Sequence, residues 1–514
     1  MFASLFNCII LLIVPILLKI YYKRRRNHPD LPCPPGPKPL PLIGNILDIP
    51  KRAPWEVYAE WANQYGDIMS IQVLGQTVVI INSVQIARNL LEKRGSNYSD
   101  RPVVHTFEVM KFDFNLILAR YASSRWKIGR KLVDHSLRQG ASATYRPMQI
   151  RKVHKFLRKI SHTNDIQDDI KHLSADIVMS LTYGYDIAES NDKFVTQVEN
   201  IVQRAATALL PGTTMMNLLP FLKNFPAWLP GMSFKRDALN HIGEMIHCVE
   251  APFSFTKGEI IKGTAQRSIV LDTMNSSSDK DLTGEEECIL KEVAASLYIA
   301  GTDTTASLLA FFILALLRYP EVQERAQSEL DAIVGRDRLP EYEDKEALPY
   351  INAICQELLR WRMVAPLGVP HAVMEDDVYE GLFIPKGSQI LVNTWSMLHD
   401  PEVYPDPENF RPERFLASDG TLVDDPLLIS IYGWGRRICP GRFLANVSIW
   451  LAVASTLSAF NVEKARDADG REIPVEDMYV NQGVVCQPLP FKCSITPRDA
   501  QAEKLVAATE IEMD

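Results

Sequence analysis

The stretch Tyr432-Gly433-Trp434-Gly435-Arg436-Arg437-Ile438-Cys439-Pro440-Gly441 carries more chemistry than any other part of this chain. Its glycines permit a tight turn that exposes one side chain, and Pro440 suits the first position of a helix. A run with apolar residues at three-to-four spacing, 443–460, follows at once. A cysteine at a helix N-terminus beside two arginines is expected to hold a depressed pKa and to favour the thiolate. Such a thiolate is a nucleophile or a metal ligand. No Cys or His stands at zinc spacing beside Cys439, which argues against a four-ligand zinc site. Spacing leaves a catalytic Cys-His pair open without giving it specific support. The remaining option is a single axial thiolate on haem iron, with Arg437 meeting a haem propionate.

Around that stretch lie 514 residues, 46% hydrophobic and 23% charged, a balance that excludes a disordered or fibrous chain. Lys and Arg total 55 against 63 Asp and Glu, so no global basic field exists and nucleic acid is not an expected partner. Eight cysteines are too sparse for a disulfide scaffold and are expected to be mostly reduced and buried. Short β-rich patches occur at 68–73, 78–81 and around 382–392, whereas segments such as 84–94, 169–181 and 193–210 carry helical spacing. The chain therefore reads as mainly α with a minor β-sheet part.

One predicted helix stands out. Thr283 with Glu286 makes a capping box, and helical patterning then runs to Tyr319, where Pro320 stops it. Its centre, 294–317, is nearly all apolar or small, as suits a helix buried on every side. Yet that centre contains Gly301-Thr302-Asp303-Thr304-Thr305. Burying an unpaired carboxylate is expensive, so Asp303 must be paired or face a wet cavity. The competing reading is a locally satisfied kink. Segment 209–232, rich in Leu, Met, Phe, Trp and Pro, is either core or a surface patch for membrane or ligand, and composition slightly favours core.

From Phe2 to Leu18 no side chain is charged, and the apolar run resumes after Lys19 to reach Tyr22. About 20 helical residues span roughly 30 Å, the thickness of a bilayer core. Lys23-Arg24-Arg25-Arg26 follows with no Lys or Arg before the span, so the body is expected in the cytosol. Residues 1–22 thus read as a single-pass signal-anchor, since the basic n-region and cleavage site of a removable signal are missing. No later stretch is expected to match it as an uninterrupted span. Residues 23–44 form a basic, proline-rich linker in which Leu31-Pro32-Cys33-Pro34-Pro35-Gly36-Pro37 forbids helix. Composition supports a stiff orienting strut and a passive linker equally. The body is placed at 45–500 and a frayed acidic tail at 501–514.

The stretch 432–441 resembles the haem-binding loop of the cytochrome P-450 superfamily, with Cys439 at the axial-ligand position. It departs at Tyr432, where phenylalanine is usual, which adds a hydroxyl needing a partner. Other stretches match in the family's order. Glu357-Leu358-Leu359-Arg360 resembles the E-x-x-R helix, and Arg414 in Pro412-Glu413-Arg414-Phe415 resembles the arginine that completes a buried ionic triad. Asp303 and Thr304 resemble the acid–alcohol pair of the oxygen-activation helix. Trp126-Lys127-Ile128-Gly129-Arg130 resembles the helix whose Trp126 and Arg130 would hydrogen-bond one haem propionate, and His371 falls near the other.

The resemblance implies haem b (iron protoporphyrin IX) on a cysteine thiolate and a monooxygenase drawing electrons from a separate NADPH-dependent reductase, with cytochrome b5 as a further partner. Lys127, Arg130, Lys131 and Arg436 would form the basic docking patch. Segment 103–118, with Phe107, Met110, Phe112 and Phe114, would cover the distal pocket, and 209–232 would roof it towards the membrane. Leu91-Glu92-Lys93-Arg94-Gly95 and Tyr98-Ser99-Asp100-Arg101-Pro102 resemble fungal microsomal members that tailor secondary metabolites. That implies the endoplasmic reticulum membrane and a hydrophobic, terpenoid-like substrate. Two rivals remain: a haem-thiolate isomerase or dehydratase that never uses dioxygen, and a non-catalytic membrane-anchored haem or ligand sensor. The intact Asp303–Thr304 pair speaks against both. Three sequons begin at Asn97, Asn275 and Asn446 and are expected to stay unmodified on a cytosolic body.

Overall fold

A computed structural model describes residues 31–510 apart from 163–164, 199–200, 202–204, 206–214, 277–281, 477–478 and 483. The anchor span 1–22, the basic run after it and residues 209–214 of the apolar segment lie outside the described residues.

The body is mainly helical, and the helix Gly284–Arg318 organises it. Thr283 Oγ1 accepts from the Glu286 amide at 3.3 Å while Glu286 Oε2 accepts from the Thr283 amide at 3.0 Å, so the capping box forms as the sequence predicts. Pro320 then opens the next helix, Pro320–Ile333. The centre of the long helix is buried among Ile166–Tyr183, Pro349–Trp361 and Arg442–Ala459. Close approach is built in at Gly301, where a Cβ would lie 2.7 Å from Val178. Gly284–Arg318 and Arg442–Ala459 are both long and apolar enough to cross a membrane, contrary to the expectation that no later stretch qualifies. Both are mostly buried inside the body, so their apolarity is that of core helices.

The main sheet has four strands in the order Ile68–Val73, Gln76–Ile81, Gln389–Val392, His371–Ala372. The first two pair antiparallel across Leu74-Gly75, and Val78–Ile81 pairs parallel with Gln389–Val392. Three two-stranded sheets complete the β part, of which Phe460–Lys464 with Cys493–Pro497 and Tyr479–Gln482 with Val485–Pro488 escape the sequence patterning. Segment 84–94 is helical as expected but changes from α over Val84–Ala87 to π over Arg88–Lys93. Of the predicted 193–210 helix, residues 193–198, 201 and 205 are described, and all are helical.

Two open readings are decided here. The proline-rich stretch is pinned to the body: the Pro34 carbonyl accepts from Ser70 Oγ at 2.6 Å, Pro35 from the Ser70 amide at 2.8 Å, and Pro32 from the Phe383 amide at 2.8 Å. Gly36 makes this possible, because a Cβ there would lie 2.0 Å from the Ser70 carbonyl oxygen. Gly36→Ala is therefore expected to peel the strut from the sheet and lower stability by about 1–3 kcal/mol, read as a lower urea midpoint. The described part of the apolar segment, by contrast, divides: Met216 and Met232 are buried as core, whereas Phe221, Phe225 and Trp228 are 50%, 45% and 74% exposed and form a surface patch. The seven cysteines among the described residues are all unpaired, with Cys33 and Cys288 exposed rather than buried and Cys439 open to the internal cavity it borders.

Candidate active site

Cys439 sits in a loop whose path is set by two glycines and several carbonyls. Gly433 has φ 89° and Gly435 φ 55°, and at Gly435 a Cβ would meet the Leu91 carbonyl oxygen at 2.1 Å. The Cys439 amide donates to the Tyr432 carbonyl at 2.7 Å, and Arg130 Nη1 donates to the Ile438 carbonyl at 2.7 Å. The following helix begins at Arg442 with Gly441 as its cap, so Pro440 stands ahead of the first turn rather than in it.

The expectation of a depressed cysteine pKa is overturned. Burial pushes the Cys439 thiol up, and this outweighs the Gly441 and Arg442 amides and the charges of Arg130 and Arg442 that pull it down. The two arginines adjacent in sequence do not act on the sulfur. Arg437 turns away to donate to the Ser99 and Ala119 carbonyls at 2.7 and 2.6 Å, and Arg436 lies over the Tyr121 ring. A bound metal ion would supply the positive charge that favours the thiolate.

The predicted site residues are brought together. Cys439, Asp303, Thr304, Trp126, Arg130, Arg437 and His371 all border one cavity of about 470 Å³ with largely aliphatic walls. Phe112, Asn115 and Leu116 also line it, whereas Phe107 and Met110 pack into the core behind. A residue the sequence reading left without a role, Arg101, borders it as well. Its Nε donates to the Ile117 carbonyl at 3.0 Å and its Nη1 to Val369 and Pro370 at 2.6 and 2.8 Å.

Arg101, Arg437 and His371 form a cluster short of anions. Burial and the neighbouring Arg437 charge lower the Arg101 pKa, and Arg437 is itself pulled down to about 10, chiefly by burial. His371 donates through Nδ1–H to the Tyr98 carbonyl at 2.9 Å and is driven well below its usual pKa by burial, then by Arg101. Asp100, the nearest carboxylate acting on them, is already bound by Arg120. Cations held beside a cavity on neutral carbonyls suit an anionic guest. A haem offers that guest two propionates, and the Cys439 sulfur in the same cavity offers its iron a thiolate, so the residues present fit the group.

On the long helix, Thr302, Thr304 and Ser307 each donate to the carbonyl four residues back, Thr304 to Ala300 at 2.9 Å. The helix runs unbroken from Gly284 to Arg318 through these bonds. Asp303 is half-buried, and its carboxylate meets no hydrogen-bond donor among the described residues. Burial raises its pKa, offset in part by the Lys171 charge. The triad forms in full. Arg360 grips Glu357 through two bonds of 2.7 and 2.8 Å, and Arg414 Nε reaches Glu357 Oε1 at 3.0 Å. Glu357 and Arg360 have fully buried side chains.

The sequence profile of the Cytochrome P-450 family matches residues 34–495. The chain belongs to this family. As a cytochrome P-450 it is a haem-dependent monooxygenase with a cysteine-thiolate ligand and a redox partner. The chain is 39% identical over 503 residues to cytochrome P-450 monooxygenase 208 of Postia placenta, covering 97% of this chain and 96% of the relative. It is 39% identical to cytochrome P-450 monooxygenase ple1 of Rhodocybe pseudopiperita, covering 95% of this chain and 92% of that one. Cytochrome P-450 monooxygenase claR of Ampulloclitocybe clavipes is 38% identical, with 96% and 91% covered.

Proposed function

We propose that this cytochrome P-450 is a membrane-anchored tailoring hydroxylase of fungal secondary metabolism, inserting one oxygen atom into an apolar, terpenoid-like molecule. The observation that carries the reading is the shared cavity: one thiol, one acid–alcohol pair and one basic cradle border the same aliphatic space. When bound, haem b supplies the reductive activation of dioxygen and the C–H oxidation.

The chain's own residues do the rest. Cys439 gives the sulfur ligand, and Arg101, Arg130, Trp126, Arg437 and His371 hold the propionate edge. Asp303, with its raised pKa and free carboxylate, takes protons from solvent and releases them into the cavity. Thr304 rotates its hydroxyl from the Ala300 carbonyl to orient that transfer. The aliphatic walls exclude bulk water. Among the described residues the cavity's arginines are Arg101, Arg130 and Arg437, the three that would hold the propionates, which leaves no further lysine or arginine on its lining for a substrate carboxylate and favours an uncharged scaffold.

Exposed Phe221, Phe225 and Trp228, with exposed Leu40 and Leu42 on the strut and Leu47 just after it, support contact with the endoplasmic reticulum membrane from its cytosolic side. Lys127, Lys131 and Arg436 are exposed and support docking of an acidic NADPH-dependent reductase, with cytochrome b5 as a second donor. Arg130 drops out of that patch, since it is bound to Ile438 and Asp134.

The reduced protein in isolated membranes is expected to give the red-shifted carbon-monoxide Soret band of a thiolate haem, abolished in Cys439→Ala. Reconstitution with reductase, NADPH and dioxygen over a terpenoid panel then tests the activity. Turnover that ignores NADPH and dioxygen would establish the isomerase or dehydratase instead, and binding with no product from any substrate would leave the sensor.

A further inference from the structure

The hydroxyl of Tyr432, where the family resemblance leads one to expect phenylalanine, has a partner. It donates to Asn446 Oδ1, one turn into the helix Arg442–Ala459 that follows the cysteine. The same residue's carbonyl accepts the Cys439 amide at 2.7 Å. Tyr432 thus holds the cysteine backbone at one end and the helix at the other, bridging over the Ile438–Gly441 turn. Asn446 is committed inward as well. It heads the sequon Asn446-Val447-Ser448, and Ser448 is buried, accepting from Gln149 Nε2 at 2.7 Å.

We propose that Tyr432 and Asn446 form a latch that positions the Cys439 loop as an iron ligand, making both of them positioning residues. The loop needs such a restraint. Two glycines in left-handed backbone give it freedom, at Gly433 and Gly435, directly between Tyr432 and the cysteine. Phenylalanine at 432 would keep the ring packing and the carbonyl bond but leave the Asn446 oxygen without its donor.

The inference presupposes Cys439 as the haem ligand and is tested on the full-length holoprotein. The reduced carbon-monoxide complex is held at a fixed elevated temperature, and the rate at which the red-shifted band converts to the blue band of thiolate-free haem is followed. Tyr432→Phe and Asn446→Ala are each expected to speed conversion about fivefold, the factor that one hydrogen bond of ordinary strength gives a rate. The double variant is expected to convert no faster than either single one, because both remove the same bond. Far-UV circular dichroism melting should not move. Conversion of Tyr432→Phe at the wild-type rate overturns the latch. So does a double variant near the product of the two, about 25-fold, or a melt that falls in step with the spectrum. A wild-type protein with no red-shifted band at all would instead remove Cys439 as ligand, a separate failure that takes the latch with it.

Discussion

Glu357→Leu is expected to lose about 3–5 kcal/mol of stability and to accumulate as aggregated, haem-free protein. The side chain is fully buried and serves two guanidinium groups, Arg360 through both oxygens and Arg414 through one, while also accepting the Arg411 amide at 2.8 Å. Removing it leaves two cations in contact with no counter-charge, which is the costly half of breaking a buried pair. Against a total of about 5–15 kcal/mol for a folded domain, that loss takes a large share. Arg414→Lys should be much milder. Arg414 also donates to the Pro405, Asp406 and Asn409 carbonyls near the surface, and a lysine there keeps the charge if not the fork. Urea midpoints of the two variants, measured on detergent-solubilised protein, separate a stranded-charge effect from a simple loss of contacts. Equal midpoints would refute it.

That triad shows how far sequence reading reached and where it stopped. Glu357 and Arg360 could be paired from their spacing alone, because i and i+3 share a helix face. Arg414 lies 54 residues beyond Arg360, and only the family order pointed to it. The long helix was legible because a capping box, an apolar centre and a proline mark its ends and interior independently. The strands Leu382–Ile384 and Gln389–Val392 fell within a predicted β-rich patch, but His371–Ala372, Phe460–Lys464 and Tyr479–Gln482 did not, since a period of two needs more length than two to five residues to register reliably. At the site, Cys439 was legible and its electrostatics were not. Sequence neighbours Arg436 and Arg437 point elsewhere, and the charges near the sulfur come from Arg130, 309 residues before it, and Arg442. Arg101 was quoted only as part of a motif, because a lone arginine carries no spacing signal until the fold sets it beside Arg437 and His371. The segment 209–232 was weighted towards core for a similar reason, as composition cannot say which way an aromatic faces.

Asp303→Asn is expected to lower substrate-dependent turnover by about 10²–10⁴-fold, the usual contribution of a positioned proton donor, while leaving the carbon-monoxide spectrum unchanged. Among the described residues no hydrogen-bond donor holds the carboxylate, which lies half-buried on the cavity wall, so burial raises its pKa. A carboxyl shifted upward keeps its proton to higher pH than an ordinary aspartate. The sign follows directly. As pH rises through that elevated pKa, Asp303 loses its proton and the wild-type rate should fall, whereas Asp303→Asn, with nothing to titrate, should be flat across the same range. Thr304→Val should retain the pH limb but lose rate, because the hydroxyl orients the transfer without supplying the proton. The measurement is kcat against pH for the three proteins with saturating reductase, alongside the solvent deuterium isotope effect. A limb that survives in Asp303→Asn would mean another group delivers the proton. The free carboxylate would then be a structural feature of the helix, tolerated because it borders the cavity.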